Sequence, residues 1–304
     1  MVGYRDESRA DRSRLDDIST ISRSSYELAT AHGPTGLAAA PLVDGHPECY
    51  ARQLSDGGQF DTTAAAVERG LELAAHGADI LDIGGESTRP YSQPVALDDE
   101  LGRVVPVIRT LSSKLAIPIS IDTSKAAVAE AAIDLGAEII NDVTALAGDP
   151  RMVDLARRSG VAVCAMHMQG TPQTMQDDPA YNDVVHEVLD FLRVRRDALV
   201  ATGIQRERIA LDPGIGFGKT HQHNVTLLAH AHRFHELGCP LLLGHSRKAF
   251  IGKVLDDKEA DPTAGTIGVA LALARQGVQI VRVHDVQAVR QALILHEATG
   301  GLNR

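Results

Sequence analysis

Ionisable and polar side chains recur directly after the short apolar segments of this chain. In chain order they are Glu86, Thr88, Arg89, Asp122, Asn141, Asp142, His167, Gln169, Asp212, Ser246, Arg247, Lys248, Arg282 and His284. A helix cap or a solvated loop would account for any one of them. If the segments are strands of a closed parallel sheet, their carboxyl ends meet at one mouth. Carboxylates, an amide, a lysine and an arginine gathered at one mouth favour a ligand-binding site.

Part of this set suits a flat heterocyclic ligand. Asp122, Asn141 and Asp212 offer fixed acceptors and one amide, which match a ring with several N–H donors. Lys248 could bond to a carbonyl or a nitrogen of the same ring.

Arg282 and His284 point to a second ligand group, an anion. Positions two apart on a strand project to one face, so these side chains could hold a single anion between them. The alternative is a structural ion pair.

Two other patterns imitate known sites. Residues 214–220 look like a phosphate-binding loop, but the required spacing puts Pro213 where the first glycine must be. Five histidines suggest a metal site, yet most fall on a predicted helix, where residues two apart face different directions. They are His221, His223, His230, His232 and His235. We interpret them as solvated helix histidines.

Composition limits the class of protein. The chain has 304 residues, 44% of them apolar, and a formal net charge of −10. Such a charge argues against nucleic-acid binding, and no apolar run approaches the ~18 residues that span a membrane. Cys49, Cys164 and Cys239 form no CxxC pair, which favours a reducing, cytoplasmic location.

The order of elements predicts one domain. Residues 1–38 are rich in Arg, Asp and Ser and are interpreted as a mobile N-terminal arm without the features of a targeting peptide. From Gly36 onward, eight strand and helix units alternate, beginning with a strand over residues 36–43 and including one helix over residues 223–238, and residues 39–304 are assigned to one domain. Continuous apolar strands are typical of a parallel sheet buried on both faces. We therefore predict an α/β fold, a single (β/α)8 TIM barrel, with a doubly wound open sheet as the alternative.

Seven motifs at the predicted strand ends resemble those of dihydropteroate synthase, a pterin-binding TIM-barrel family. They are DIGGESTRP (82–90), SIDTSK (120–125), IIND (139–142), MHMQGTPQTMQ (166–176), LDPGIGFGK (211–219), GHSRKAFIG (244–252) and RVHDV (282–286). The resemblance implies a transferase of folate biosynthesis, usually a homodimer. It would join p-aminobenzoate to 6-hydroxymethyl-7,8-dihydropterin pyrophosphate and release pyrophosphate.

The resemblance also implies a role for each matched residue. Asp122, Asn141, Asp212 and Lys248 would bind the pterin, which agrees with the acceptor set described above. Arg282 and His284 would bind the pyrophosphate, and Ser246 would line the substrate site. Thr88, Arg89 and Pro90 would help to build the p-aminobenzoate site. Tyr91 departs from the glycine that is common after this proline, which leaves the shape of the loop in question.

The implied reaction needs no covalent nucleophile. Arg282, His284 and a Mg²⁺ ion would neutralise the pyrophosphate leaving group. Asp122 would stabilise the positive charge on the departing methylene, and the aryl amine would attack that carbon. Asp122, Lys248, Arg282 and His284 are therefore the predicted catalytic residues.

Residues 44–58 depart from the family pattern. Members carry a loop close to MGILNVTPDSFSDGG here, whose Asn binds the metal. This chain keeps Ser55 to Gly58 but has Glu48 in place of that Asn, so its metal ligand is unknown. Synonymous codons for residues 44–54 exist that encode MGILNVTPDSF when read one base later. We hypothesise that the window is out of frame, with a base gained near Val43 and one lost near Leu54.

Two other functions stay open at this point. A non-catalytic or impaired pterin-binding paralogue would keep the pocket and lose the first loop. A pterin-dependent methyltransferase domain shares the barrel and the acidic pocket. However, a methyl carrier needs no pyrophosphate-binding pair such as Arg282 and His284.

Overall fold

The computed structural model describes residues 61–257 and 259–302, together with the backbone of three short strands nearer the N-terminus. These strands are β1 (Leu28–Thr30), β2 (Gly33–Thr35) and β3 (Leu42–Gly45). The departing window beyond Gly45, with Glu48, lies outside the described residues. So does most of the predicted arm.

The strands that follow are short and almost wholly buried. They are β4 (Ile80–Gly84), β5 (Ile119–Asp122), β6 (Ile139–Asp142), β7 (Ala162–Met166), β8 (Ile209–Asp212), β9 (Leu242–Gly244) and β10 (Ile280–Val283). Helices cover the outer face of their sheet, which explains why the strands read as continuous apolar runs rather than alternating ones.

The eight strands β3 to β10 close into a barrel. All neighbours are parallel, in the order β8-β7-β6-β5-β4-β3-β10-β9. A bridge between Leu211 and Leu241 joins β8 to the residue before β9 and so connects the two ends of the sheet. The predicted (β/α)8 barrel is confirmed, and the open sheet is excluded.

Helices return the chain between the strands. They are α1 (Asp61–Ala75), α2 (Leu97–Ser112), α3 (Ala126–Asp134), α4 (Met152–Ser159), α5 (Val184–Ala201), α6 (His221–Ala229), α7 (Phe250–Leu255), α8 (Pro262–Arg275) and α9 (Val286–Ala298). Of the helices in the described part of the chain, none is long and apolar enough to cross a membrane.

Two separate apolar layers hold the barrel together. The larger layer packs the outer faces of the strands against the helices. The smaller layer fills the barrel interior with Ile80, Ile139, Ala162, Cys164, Ala210, Leu242 and Ile280. Side chains two residues further along each strand share this inward direction but lie nearer the mouth. The interior layer is therefore the floor on which any site at the mouth rests.

Three boundaries differ from the prediction. The first barrel strand, β3, ends at Gly45 and not at residue 43, and residues 36–41 of the predicted strand lie outside the described residues. Within the predicted arm, β1 and β2 pair as an antiparallel hairpin, and β1 lies beside Arg206–Arg208, the short 3-10 turn before β8. The predicted helix over residues 223–238 divides at His230 into α6 and a 3-10 helix, Ala231–Leu237.

Candidate active site

A ring of inward-facing polar side chains lies one layer above the apolar floor. Each member follows an interior residue by two positions on its strand: Asp82 follows Ile80, Asp122 follows Ser120, Asn141 follows Ile139, Asp212 follows Ala210 and Arg282 follows Ile280. Side chains two positions apart on a strand face the same way, so the inward-facing side chains form an apolar layer inside the barrel and a polar layer at its mouth. Four of these residues were predicted; Asp82 was not.

Arg282 links two of the carboxylates. Its Nη1 lies 2.8 Å from Asp82 Oδ2 and 3.1 Å from Asp122 Oδ2. The amide of Asn141 donates to the same Asp82 oxygen at 3.0 Å. Asp82, Asp122 and Asn141 are buried, so this cluster is a set of fixed polar atoms at the head of the barrel.

Burial makes Asp122 a weak acid. Loss of solvation, reinforced by the nearby Asp82 carboxylate, raises the pKa of Asp122 to about 7, although Arg282 opposes the shift. A carboxyl group with such a pKa changes charge near neutral pH. In its carboxylate form Asp122 can therefore accept hydrogen bonds from a ligand, and this interaction is strongest when the ligand is cationic.

The loop over residues 213–219 positions the other half of the pocket. Its Gly214 N–H donates to Asp212 Oδ1 at 2.7 Å, and the carbonyl of Ile215 accepts from Lys248 Nζ. Lys248 Nζ also lies 4.8 Å from the centre of the Phe217 ring. Asp212 and Lys248 are thus both held by one loop.

Asp212 and Lys248 influence each other's charge. Burial raises the pKa of Asp212, which its hydrogen bond from Gly214 and the charge of Lys248 oppose. Burial lowers the pKa of Lys248 to about 7, in the same direction as repulsion from Arg282 and against attraction to Asp212. A lysine close to half-protonated can donate to a ring carbonyl without a fixed full charge.

The loop after β4 is built differently, from exposed residues and backbone bonds. Thr88 is partly buried, whereas Arg89, Pro90 and Tyr91 are exposed. Ser92 Oγ donates to the carbonyl of Ser87 at 2.6 Å and closes the loop. Tyr91 has a positive φ of 63°, a backbone conformation that favours glycine.

An ionic bridge anchors the root of this loop. Lys125 contacts the carboxylate of Glu86 and lies 2.5 Å from that of Glu100, a fully buried residue of α2. The hydroxyl of Thr123 donates to the other Glu100 oxygen at 2.6 Å. The bridge joins the loop after β4 to the segment after Asp122.

Comparison with known proteins agrees with this geometry. The model of a family described as pterin binding enzyme matches residues 52–284. The chain belongs to the pterin-binding enzyme family. Dihydropteroate synthase of Escherichia coli strain K12 is 41% identical over 269 residues, which cover 88% of this chain and 95% of that protein.

Solved structures give the same family. Dihydropteroate synthase of Xanthomonas albilineans with 4-aminobenzoic acid superposes with a TM-score of 0.83 at 43% identity, covering 91% of this chain and 98% of that one. A structure of dihydropteroate synthase from the same organism in complex with 7,8-dihydropteroate has a TM-score of 0.76 at 41% identity, covering 87% and 95%.

Within this family framework, Arg282 and His284 reach different partners. Arg282 points to Asp82 and Asp122, whereas His284 Nδ1 lies 3.0 Å from Ser246 Oγ. The structural ion pair that was the alternative for Arg282 therefore forms. Whether Arg282 and His284 also bind one anion stays a prediction, as do the substrate roles of Ser246, Thr88, Arg89 and Pro90.

The two sequence patterns that look like a phosphate-binding loop and a metal site have structural explanations. Lys219 is buried, and its Nζ lies 2.9 Å from His167 Nδ1 and donates to the carbonyl of Phe217 at 2.9 Å. A Cβ on Gly214 would lie 1.9 Å from the His167 carbonyl, so that glycine permits two loops to touch. The glycine of this segment therefore serves close packing between two parts of the protein.

The histidine pattern also resolves into ordinary contacts. His223 completes the capping box of α6 with Thr220, His235 Nε2 lies 2.8 Å from the carbonyl of Gln276, and His230 and His232 are exposed. In the described ranges no three His, Cys, Asp or Glu side chains converge as a metal site would require. Glu48 is outside those ranges, so the Mg²⁺ prediction stays untested. Cys164 and Cys239 are buried.

Asp82 is the site residue that the sequence reasoning missed. It lies in the middle of the apolar strand β4, whereas the sequence-based prediction placed site residues at the strand ends. The sequence signal for Asp82 is the carboxylate within the apolar run ILDIG, because a buried carboxylate requires a partner.

Proposed function

We propose that this chain is a dihydropteroate synthase. It would condense p-aminobenzoate with 6-hydroxymethyl-7,8-dihydropterin pyrophosphate to give 7,8-dihydropteroate and pyrophosphate. The observation that carries the proposal is the buried cluster of Asp82, Asp122, Asn141 and Arg282 at the barrel mouth. The activities and ligands named for the relatives support the same reaction.

Pterin binding is assigned to the acceptor set. Asp122, Asn141 and Asp212 accept from or donate to the edge of the ring, and Lys248 bonds to a ring carbonyl or nitrogen. Their fixed positions support this role, because groups already held by Arg282 and by Gly214 need no reordering when a ligand arrives.

The chemical step exchanges one bond for another. The bond between the pterin methylene carbon and the pyrophosphate oxygen breaks, and the amine nitrogen of p-aminobenzoate bonds to that carbon and loses a proton to solvent. The Asp122 carboxylate stabilises the positive charge that develops on the pterin. Arg282 and His284 stabilise the negative charge of the leaving group. Thr88, Arg89 and Pro90 hold the arylamine.

Mg²⁺ belongs to the proposal through the family resemblance. When bound, it would offset the charge of the pyrophosphate. Residue 48, the expected ligand position, lies outside the described residues, and no step above depends on it.

The deciding experiment measures pyrophosphate release when p-aminobenzoate is added to protein with bound pterin pyrophosphate. Asp122→Asn is the matched variant, and we expect it to slow release about 100-fold, since it removes the charge that stabilises the cation. Pterin binding with no release from the wild-type protein would contradict the proposal. That result would favour the pterin-binding paralogue.

The departure of residues 44–54 from the family pattern is the observation that favours the pterin-binding paralogue. This window is therefore tested separately. The protein as written is compared with one in which this window reads MGILNVTPDSF. Release only from the second protein would assign the defect to the window. The genomic bases of codons 42 to 56 test the frame hypothesis directly: codons that encode no such loop in the shifted frame would refute it.

A homodimer and a cytoplasmic location are also proposals, supported by the resemblance. Sedimentation velocity on the purified protein tests the first. A single species at the mass of one 32.4 kDa chain would contradict it.

A further inference from the structure

A short segment after β7 touches both halves of the site. This bridging segment, residues 171–176, lies between the arylamine loop, residues 87–92, and the pterin loop, residues 214–219. Two glutamines three positions apart provide contacts on either side. Gln173 Nε2 donates to the carbonyl of Ser92 at 3.0 Å, and Gln176 Nε2 donates to the carbonyl of Gly216 at 2.8 Å.

The contact with the arylamine loop holds a strained backbone. The N–H of Tyr91 donates to the carbonyl of Pro172 at 2.9 Å, next to the bond from Gln173. Tyr91 has its positive φ here although the residue is 59% exposed. Burial of the side chain therefore does not account for the conformation; bonds within the loop and the paired bonds from the bridging segment hold it.

The contact with the pterin loop reaches the ring-binding residues. Gln176 bonds to Gly216, the neighbour of the Ile215 carbonyl that accepts from Lys248. The same loop fixes Asp212 through Gly214. Below this contact, Met175 packs with Phe217, Met166 and Val143 in a small apolar cluster, so the bridging segment has a rigid base.

We propose that Gln173 and Gln176 are positioning residues that set the distance between the arylamine and pterin halves of the site. The proposal rests on the proposed function for the identity of the two substrates. Gln173 acts on the arylamine loop and Gln176 on the pterin loop, so their removal affects different substrates. Neither side chain takes part in the chemical step.

Gln173→Ala and Gln176→Ala test this division. We expect Gln173→Ala to raise KM for p-aminobenzoate about fivefold, the effect of one neutral hydrogen bond, with KM for pterin pyrophosphate nearly unchanged. Gln176→Ala should do the reverse. The control is Gln276→Ala at the far end of α8, which removes a glutamine bond to the Leu228 carbonyl, also 2.8 Å long, and the bond that the side chain accepts from the His232 N–H. It should alter neither KM.

Amide hydrogen exchange provides a readout that does not depend on turnover. Peptides covering residues 87–92 should exchange faster in Gln173→Ala, and those covering residues 214–219 faster in Gln176→Ala. Equal changes of both loops in both variants, or no change in either, would overturn the inference. Wild-type protein that releases no pyrophosphate would overturn the proposed function alone, because the exchange pattern still decides the role of the glutamines.

Discussion

The strand-borne and loop-borne parts of the site are held by different forces. Asp82, Asp122 and Asn141 come from strands and are buried; Arg282 joins the two carboxylates by charge, and the amide of Asn141 donates to Asp82. The arylamine loop is largely exposed and is held by neutral bonds to backbone carbonyls. Buried charges are costly to leave unpaired, whereas single neutral bonds contribute about 1 kcal/mol. The pterin half should therefore respond to charge and pH, and the arylamine half to geometry.

Removing the shared cation should have the largest effect. Arg282→Met removes the cation that bridges two buried carboxylates, and we expect the free energy of unfolding to fall by about 3–5 kcal/mol at pH 8. The loss should be smaller at pH 5, where protonation relieves the repulsion. Urea denaturation at both pH values measures it.

Arg158→Met is the matched control, because Arg158 pairs with Glu130 on the exposed surface. It should leave stability unchanged at both pH values. If the Arg282 variant lost no more than this control, the strand-borne cluster would not be held by charge.

Asp122→Asn should change how stability depends on pH. The pKa of Asp122 is raised from 3.8 to about 7 in the folded protein, so the folded state binds more protons than the unfolded state between those values. Wild-type stability should therefore fall, relative to the variant, as pH rises from about 4 to 7, by about 2–4 kcal/mol in total, and then stay level. Urea midpoints at pH 4.5, 6 and 8 measure the difference, and a constant difference would contradict the raised pKa.

Lys125→Met tests the place where the two regions meet. Lys125 bridges Glu86 at the root of the arylamine loop and the buried Glu100. Without Lys125, Glu100 keeps the hydrogen bond from Thr123 but loses its ion pair. We expect the free energy of unfolding to fall by about 1–3 kcal/mol. Thermal unfolding measures this change. Lys125→Arg should recover most of it, and failure to recover would point to packing rather than charge.

The sequence was informative where local periodicity decides the outcome. Asp122, Asn141 and Asp212 were predictable because Asp122 and Asp212 end apolar strands and Asn141 is the second-last residue of one, and strand ends determine the mouth of a barrel. Asp82 was missed because it interrupts a strand instead of ending it. The Gln173 and Gln176 bonds join segments far apart in the chain, so no local pattern indicates them. The division at His230 was missed because the apolar spacing continues across it.

Tyr91 gives the smallest effect and the most direct test of the arylamine loop. Its left-handed backbone costs a residue with a Cβ about 1–2 kcal/mol, whereas glycine adds about 0.5–1 kcal/mol of unfolded-state entropy. Tyr91→Gly should thus stabilise the protein by about 0.5 kcal/mol, seen as a higher urea midpoint. Tyr91→Ala keeps the strain and removes only an exposed ring, so its midpoint should match that of the wild-type protein. If the glycine variant were instead less stable than the alanine variant, the strain would be absent in solution. The loop would then be held by side-chain contacts, as the strand-borne cluster is, and the contrast between the two regions would fail.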